Sequence, residues 1–466
     1  MKILTGLTLF LFIVFSACRK DSFISSADAR VRITVDTLKY DTVFTSTGSI
    51  TQSFKIVNEN NQKLKVSSVK LMGAASSYSI NVDGTSGPAV NDLEINANDS
   101  MYVFVQVNVN PDANNLPFVI RDSIQVSING KNNLVQLEAW GKNAHFLRDK
   151  QVSSDEHWDN DLPYVILGYL YVGPGKTLTI NKGCRIYAHA DAAIIVDGTL
   201  KVAGEKDTID RVYFRGDRLD DPYKDYPASW PGIYFRTTSQ DNVLNFAVIK
   251  NAYQAIALQD PSIDANPKLT LNESIIDNAY DAGIISLNSS VKATNCLISN
   301  CGKNLVLAQG GNYQFTHCTV ASYSNSYILH KDPVLYLSNY IVVNNAPVTK
   351  DLTAVFTNNI FWGDYGSVDD EVVTGKDDGA LFNVSFDSNI WKVKTQPTGI
   401  DPLVNAISQA PGFDSIDVNK KYYNFHLKTD PLSPAIDAGT NTSNTIDLDG
   451  KPRPVGQPDL GCYEKQ

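Results

Sequence analysis

Between Val31 and Ala139 the apolar and polar residues alternate in short runs separated by turn residues. Met101, Val103, Val105, Val107 and Val109 fall on one side of an extended chain, and Tyr102, Phe104, Gln106 and Asn108 on the other. That period of two is the signature of a half-buried strand. Ile124, Val126 and Ile128 lead into Asn129-Gly130, and Val135, Leu137 and Ala139 lead away from it. Asn-Gly accepts the positive φ angles of a two-residue hairpin turn. Further runs at Phe54–Val57, Leu64–Leu71 and Tyr78–Val82 bring the expected number of strands to seven or eight, enough for two packed antiparallel sheets.

Beyond a polar, aperiodic stretch at 143–161, expected as a linker, the texture changes. Leu178–Ile180, Ile194–Val196, Leu200–Val202, Val212–Phe214 and Ile233–Phe235 are very short apolar strands, with Gly173, Gly175, Gly183, Gly198 and Gly204 between them. Such strands suit the coils of a solenoid better than a sandwich or a βαβ unit. Alignment on Asn251, Asn278, Asn300, Ser322 and Asn344 gives separations of 27, 22, 22 and 22. Two positions before each anchor stands an aliphatic column: Ile249, Ile276, Ile298, Val320, Val342. Seven before stands Leu244, Leu271, Ala293, Phe315, Leu337, and four before stands Ala247, Ser274, Cys296, Cys318, Tyr340. Columns of one character mean that each coil stacks in register on the last, with parallel strand pairing. On this register Ile298 points inward and Ser299 outward. At roughly 22 residues per coil, 162–403 would form a rod about 50 Å long.

The second region resembles the right-handed parallel β-helix family, the pectin-lyase-like fold. The first, with its strand count and the phrase Ile95-Asn-Ala-Asn-Asp-Ser100, resembles the immunoglobulin-like modules of Bacteroidota surface lipoproteins. Ser433-Pro-Ala-Ile-Asp-Ala-Gly439, Asp447-Leu-Asp-Gly-Lys-Pro-Arg453 and Asp459-Leu-Gly-Cys-Tyr-Glu464, following Asp401-Pro-Leu403, resemble the C-terminal segment of choice-of-anchor Q proteins. That resemblance implies a segment, 404–466, that closes the open end of the rod, where an unpaired coil would invite aggregation. The expected fold is therefore all-β: an Ig-like β-sandwich over 31–142, then a right-handed parallel β-helix over 162–403.

The N-terminus changes the picture of location. Residues 1–17 carry Lys2 and an apolar run, Leu7–Phe15, too short to span a bilayer, and end at Phe15-Ser-Ala-Cys18. Small residues directly before a Cys resemble a lipobox, which implies lipidation at Cys18, a tether over 18–30 and an exported, outer-membrane-anchored surface protein. Removing the leader with its Lys2 takes the net charge from −10 to −11, and no dense Lys/Arg run occurs. Nucleic acid is excluded as a partner on that ground. With Cys18 lipidated, five Cys are left, so a complete disulfide framework is excluded. Cys296 and Cys318 share a column and read as stacked core thiols.

Candidate chemistry is concentrated in the insertion Arg215–Trp230. Asp217, Arg218, Asp220, Asp221 and Asp225 with Trp230 provide carboxylates beside an aromatic ring, the means of glycan or partner recognition. The competing reading is a loop whose Asp–Arg pairs serve only its own packing. No cofactor is called for. Asp447-Leu-Asp449-Gly450 resembles the start of a calcium loop but lacks the further ligands, so a turn is expected. Polygalacturonases share Gly-His-Gly and Arg-Ile-Lys runs; here no His is followed by Gly and Arg-Ile-Lys does not occur. The function expected is a non-catalytic surface lipoprotein that binds a glycan or an outer-membrane protein. A polysaccharide lyase or glycoside hydrolase is the alternative, and a structural subunit of an outer-membrane assembly is the third reading.

Overall fold

The computed structural model describes residues 22–44, 51–73, 76–108 and 118–466. The leader, Cys18 and Val109 lie outside them. Strands and their connections make up the described chain, apart from one 3-10 turn at Tyr223–Asp225. The chain divides into two compact units, Met1–Asn143 and Ala144–Gln466.

In the first unit one sheet runs Phe23–Ile24, Lys63–Leu71, Phe118–Ile128, Lys131–Lys142, Thr37–Phe44, with Ala89–Ile95 also paired to Lys63–Leu71. The other runs Val31–Ile33, Gln52–Asn58, Ser100–Val107, Tyr78–Val82, Thr85–Gly87. Their inward residues share one core: Met101, Val103, Val105 and Val107 from one sheet meet Ile124, Val126, Val135 and Leu137 from the other. The alternation seen in the sequence is what this packing requires. Asn129 and Gly130 both have positive φ, 48° and 79°, and turn the Ile128–Lys131 hairpin. Phe23–Ile24, expected within a tether, instead adds a short parallel strand beside Lys63–Leu71.

The second unit is a solenoid with three parallel strand columns. On the first face Ile186, Phe214, Ile249, Ile276, Ile298, Val320, Phe361 and Trp391 stack rung upon rung. On the second, Leu170, Ile194, Ile233, Ile256, Ile284, Leu305, Leu335 and Val372 do the same. The third carries Ile180, Val202, Leu244, Leu271, Ala293, Phe315, Phe356, Phe386 and Leu403. All three columns point into one core, where Phe356 stacks between Phe315 and Phe386 at 5.6 and 4.5 Å.

Four expectations need correction. The segment 143–161 is no linker: His145–Val152 and Glu156–Trp158 pair in parallel with Tyr164–Val172 and Thr177–Asn181 as the first coil. Its polar outward positions hid the alternation. The fifth repeat is also out of place. Val320 pairs with Phe361, while Val342 sits in an antiparallel hairpin, Tyr340–Val343 against Ala346–Thr349, and is 64% exposed. The left-handed Asn344 and Asn345 turn that hairpin out of the stack. Ser299 does point away from the core, yet it is buried and donates to the Asp277 carboxylate at 2.8 Å.

The fourth correction concerns 404–466. Ile400–Val404 completes the last rung, but the segment beyond it lies along the outer side of the first face instead of closing the end. The cause is a second apolar column on that face. Ile275, Leu297, Ile360 and Ile390 precede the inward residues in their strands and point outward, where Phe413, Phe425, Leu427, Leu448 and Leu460 cover them. Polar ties follow the same path at a bend whose residues are left-handed: Glu273, Asn295, His317 and Asn358. Asn295 donates to the Ile446 carbonyl at 2.9 Å, Asn358 to the Thr440 carbonyl at 2.7 Å, and Arg453 donates to Asn295 at 2.7 Å. The fully buried Arg453–Glu464 pair, 2.8 Å apart, holds the segment to itself. Asp447 accepts backbone N–H groups of Asp449, Lys451 and Glu464, which makes its run a turn.

His317 lies under this segment, with Nδ1 donating to the Asp459 carbonyl and Nε2 accepting from Asn358 and Thr442. Burial, reinforced by Arg453, lowers its pKa to about 3. Between its ordinary value and that one the unfolded chain binds a proton the folded chain refuses, so stability is lost as the pH falls. Burial raises Asp459 to about 6, which works in the opposite direction below that pH. His317→Gln removes only the first effect. We expect the variant's unfolding free energy, relative to wild type, to improve by about 3 kcal/mol from pH 7 to pH 4. Denaturant titrations at both pH values check this; parallel losses in the two proteins would rule out His317 as the acid-sensitive group.

Candidate functional site

On the first face the outward position just before the bend is occupied, rung by rung, by Tyr187, Arg215, Lys250, Asp277 and Ser299. Arg215 and Lys250 each follow the paired Phe214 and Ile249, so they are neighbours up the stack. They form the floor of a groove of about 370 Å³. One wall is Lys224–Asp225 of the insertion; the other brings Asn325 and Tyr327 together with Lys420, Lys421 and Tyr423 of the C-terminal segment.

The bend residues hold the first wall. Asn251 donates to the Lys224 carbonyl at 2.7 Å, and Asn278 donates to the Asp225 carbonyl at 3.0 Å and to the Asn251 side chain at 2.8 Å. Asn251, Asn278 and Asn300 are all left-handed, a conformation Asn tolerates. Asn251 and Asn278 thus form a side-chain ladder, whereas Asn300 turns to Asp277 at 3.3 Å. Tyr226 and Tyr327 meet across the walls at 4.9 Å, and the Lys421 ammonium lies 3.9 Å from the Tyr327 ring centre.

Asp277 is the carboxylate of the floor, and it is fully engaged. Lys250 Nζ lies 3.1 Å from it, Ser299 donates at 2.8 Å, and Asn300 completes the set. The Asp277 charge raises the Lys250 pKa above the usual lysine value. The Asp277 oxygens are thus taken up by donors from the rungs on either side.

The residues singled out from the sequence are close by but mostly spent on the loop itself. Arg218 bonds Asp220 at 3.0 Å and covers the Tyr223 ring at 3.4 Å. Lys224 reaches Asp221 at 2.8 Å, and Asp217 meets His189 at 2.7 Å. Asp225 alone of that set lines the groove. Trp230 corrects the expectation of a stacking platform. It is 1% exposed, packs in the solenoid core and donates Nε1–H to the Lys250 carbonyl at 2.9 Å. Burial of so large a ring, with its one polar atom satisfied, is its most favourable use. Arg215, Lys250 and Asp277 were missed because each looks like an ordinary outward strand residue. The usable signal was their shared register, one position beyond an inward aliphatic.

Among the described residues no group of three or more His, Cys, Asp or Glu stands close enough to hold a metal ion. The five described cysteines are free and buried.

The family model described as a right-handed β-helix region matches residues 169–320. It supports the pectin-lyase-like, right-handed solenoid expected for this part of the chain. No curated protein matches the sequence. Some solved structures show a partial likeness. A family 123 glycoside hydrolase from Clostridium perfringens has 11% identity, a TM-score of 0.18, and coverage of 27% of this chain and 26% of its own. The E. coli chaperone DraB has 7% identity, a TM-score of 0.17, and coverage of 25% and 55%. The chain thus spans about a quarter of the first of these proteins and about half of the other.

Trp230→Ala should destabilise the solenoid by about 3–5 kcal/mol, the cost of emptying a packed aromatic site. Asp221→Asn, in an exposed pair, should change stability by less than about 1 kcal/mol. Equal chemical denaturation midpoints for the two variants would contradict this assignment.

Proposed function

We propose that the chain is a non-catalytic, lipid-anchored surface protein whose β-helix binds a glycan in the Arg215–Lys250–Asp277 groove. In this reading the first unit is an Ig-like spacer, the C-terminal segment is of choice-of-anchor Q type, and Cys18 carries the lipid that fixes the protein to the outer membrane. The carrying observation is the groove floor: charged side chains aligned across successive rungs, beside tyrosines, with the carboxylate already occupied by three donors. Polar groups on a rigid parallel stack are preorganised for a repeating ligand, since rungs recur every 4.7–4.9 Å.

The alternative is a polysaccharide lyase or glycoside hydrolase. Two basic residues on neighbouring rungs of one groove are what favours it. A glycan panel separates the two. The purified mature protein should retain at least one oligosaccharide while releasing no reducing ends or unsaturated products, with or without calcium. Product release abolished by Asp277→Asn would establish the enzymatic reading instead.

Anchoring has its own test. Cys18→Ala should move the protein from the membrane fraction to the soluble or unprocessed one. Unchanged detergent partitioning, with no acyl mass on the mature N-terminus, would refute the lipid anchor.

A further inference from the structure

Around the groove, four of the five cations have a partner within the protein. Lys250 pairs with Asp277 at 3.1 Å, Lys224 with Asp221 at 2.8 Å, and Lys420 with Asp417 at 3.4 Å, while Lys421 donates to the Tyr327 hydroxyl at 2.5 Å. Arg215 is the exception. The residue is half-buried at the head of the floor, and its guanidinium forms no hydrogen bond or ion pair among the described residues. Loss of water around an always-charged fork of five donors, without replacement, is costly. The position is less favourable still because Lys250 stands on the next rung, one strand spacing away. Asp277 compensates Lys250 from the far side and is spent there, and Asp217, two residues beyond Arg215, is engaged by His189.

The groove also inverts the sign of the chain. The protein carries a net charge of −10, yet this lining holds five cations against Asp225 and Asp277. A recess whose lining is net positive, with low-dielectric walls, concentrates anionic ligands. A planar guanidinium matches the two oxygens of a carboxylate or sulfate in a way a lysine does not.

We propose that Arg215 is a specificity residue that receives the anionic substituent, a carboxylate or a sulfate ester, of an acidic glycan lying in this groove. The assignment rests on the groove being the glycan site, and it goes further in naming the ligand's charge and the atoms that read it. Lys250, held by Asp277, adds field without direct pairing; Arg215 supplies the bidentate contact.

The test uses the full mature protein and three probes at 50 and 300 mM salt: oligogalacturonate, a chondroitin sulfate oligosaccharide, and a neutral β-glucan oligosaccharide. Wild type should bind at least one anionic probe ten-fold or more tightly than the neutral one, with an advantage that shrinks at the higher salt. Arg215→Gln should erase that preference, bringing the affinity for the anionic probe down to that for the neutral one. Arg215→Lys should restore it only partly, because the fork is lost. Preference for oligogalacturonate, whose only charges are carboxylates, identifies a carboxylate; preference for chondroitin sulfate that is lost on its desulfation identifies a sulfate. Unaltered melting temperatures for both variants guard against a folding artefact. If Arg215→Gln binds the anionic probe as wild type does, the assignment of Arg215 is wrong. Equal wild-type affinity for neutral and anionic probes leaves the glycan groove standing and removes its charge selectivity. If no probe binds, the groove reading and the Arg215 assignment fall together.

Discussion

Parallel stacking in register is the constraint from which the second unit follows. Each rung hydrogen-bonds to the rung above and below, so a residue's environment is set by the residue at the same position one coil away. An inward position must then be apolar in every coil, and an outward one inherits neighbours of its own kind about 4.8 Å off. The core columns are one result. The alignment of Arg215, Lys250 and Asp277 is the other: side chains far apart in sequence become a continuous line of charge because the backbone gives them no alternative.

The same stacking explains why the C-terminal segment is where it is. A strand such as Leu297–Ser299 or Ile360–Asp364 begins with two successive large apolar residues, which point to opposite sides. One side enters the solenoid core, and the other would face water as a continuous greasy stripe. Residues 404–466 cover that stripe, and their buried Arg453–Glu464 and Asp447 networks fold the covering piece on itself. Such a buried pair is costly to desolvate, and removing one partner is costlier still because it leaves an unpaired buried charge. In covering the stripe the segment also brings Lys420, Lys421 and Tyr423 to the groove, so a packing requirement supplies one wall of the candidate site.

The insertion between Phe214 and Ile233 plays the matching part on the other wall. Its carboxylates stood out in the sequence as recognition chemistry, but Arg218 with Asp220, Lys224 with Asp221 and His189 with Asp217 occupy three of the four. What the loop contributes is an edge, Lys224–Asp225, clamped by the Asn251 and Asn278 side chains. A composition-rich segment can thus be scaffolding for the plain strand positions beside it.

Alternation by itself was enough to give the two-sheet first unit and its Asn129-Gly130 hairpin, because a period of two with one buried face has a single structural solution. The columns through Ile249, Ile276, Ile298 and Val320 likewise gave the solenoid and its inward register. Local pattern could not reject Val342, since an exposed hairpin strand and a core rung are both short apolar runs; which one forms depends on whether a neighbour in the stack is free to receive it. It could not find the first coil at 145–158, whose polar outward residues mask the inward ones. Nor could it show that Trp230 is enclosed or that Asp277 is saturated, because the partners, Lys250 for one and Lys250, Ser299 and Asn300 for the other, come from different rungs. Sequence states the period and the face of each residue. Which faces meet is decided only when the coils close on one another.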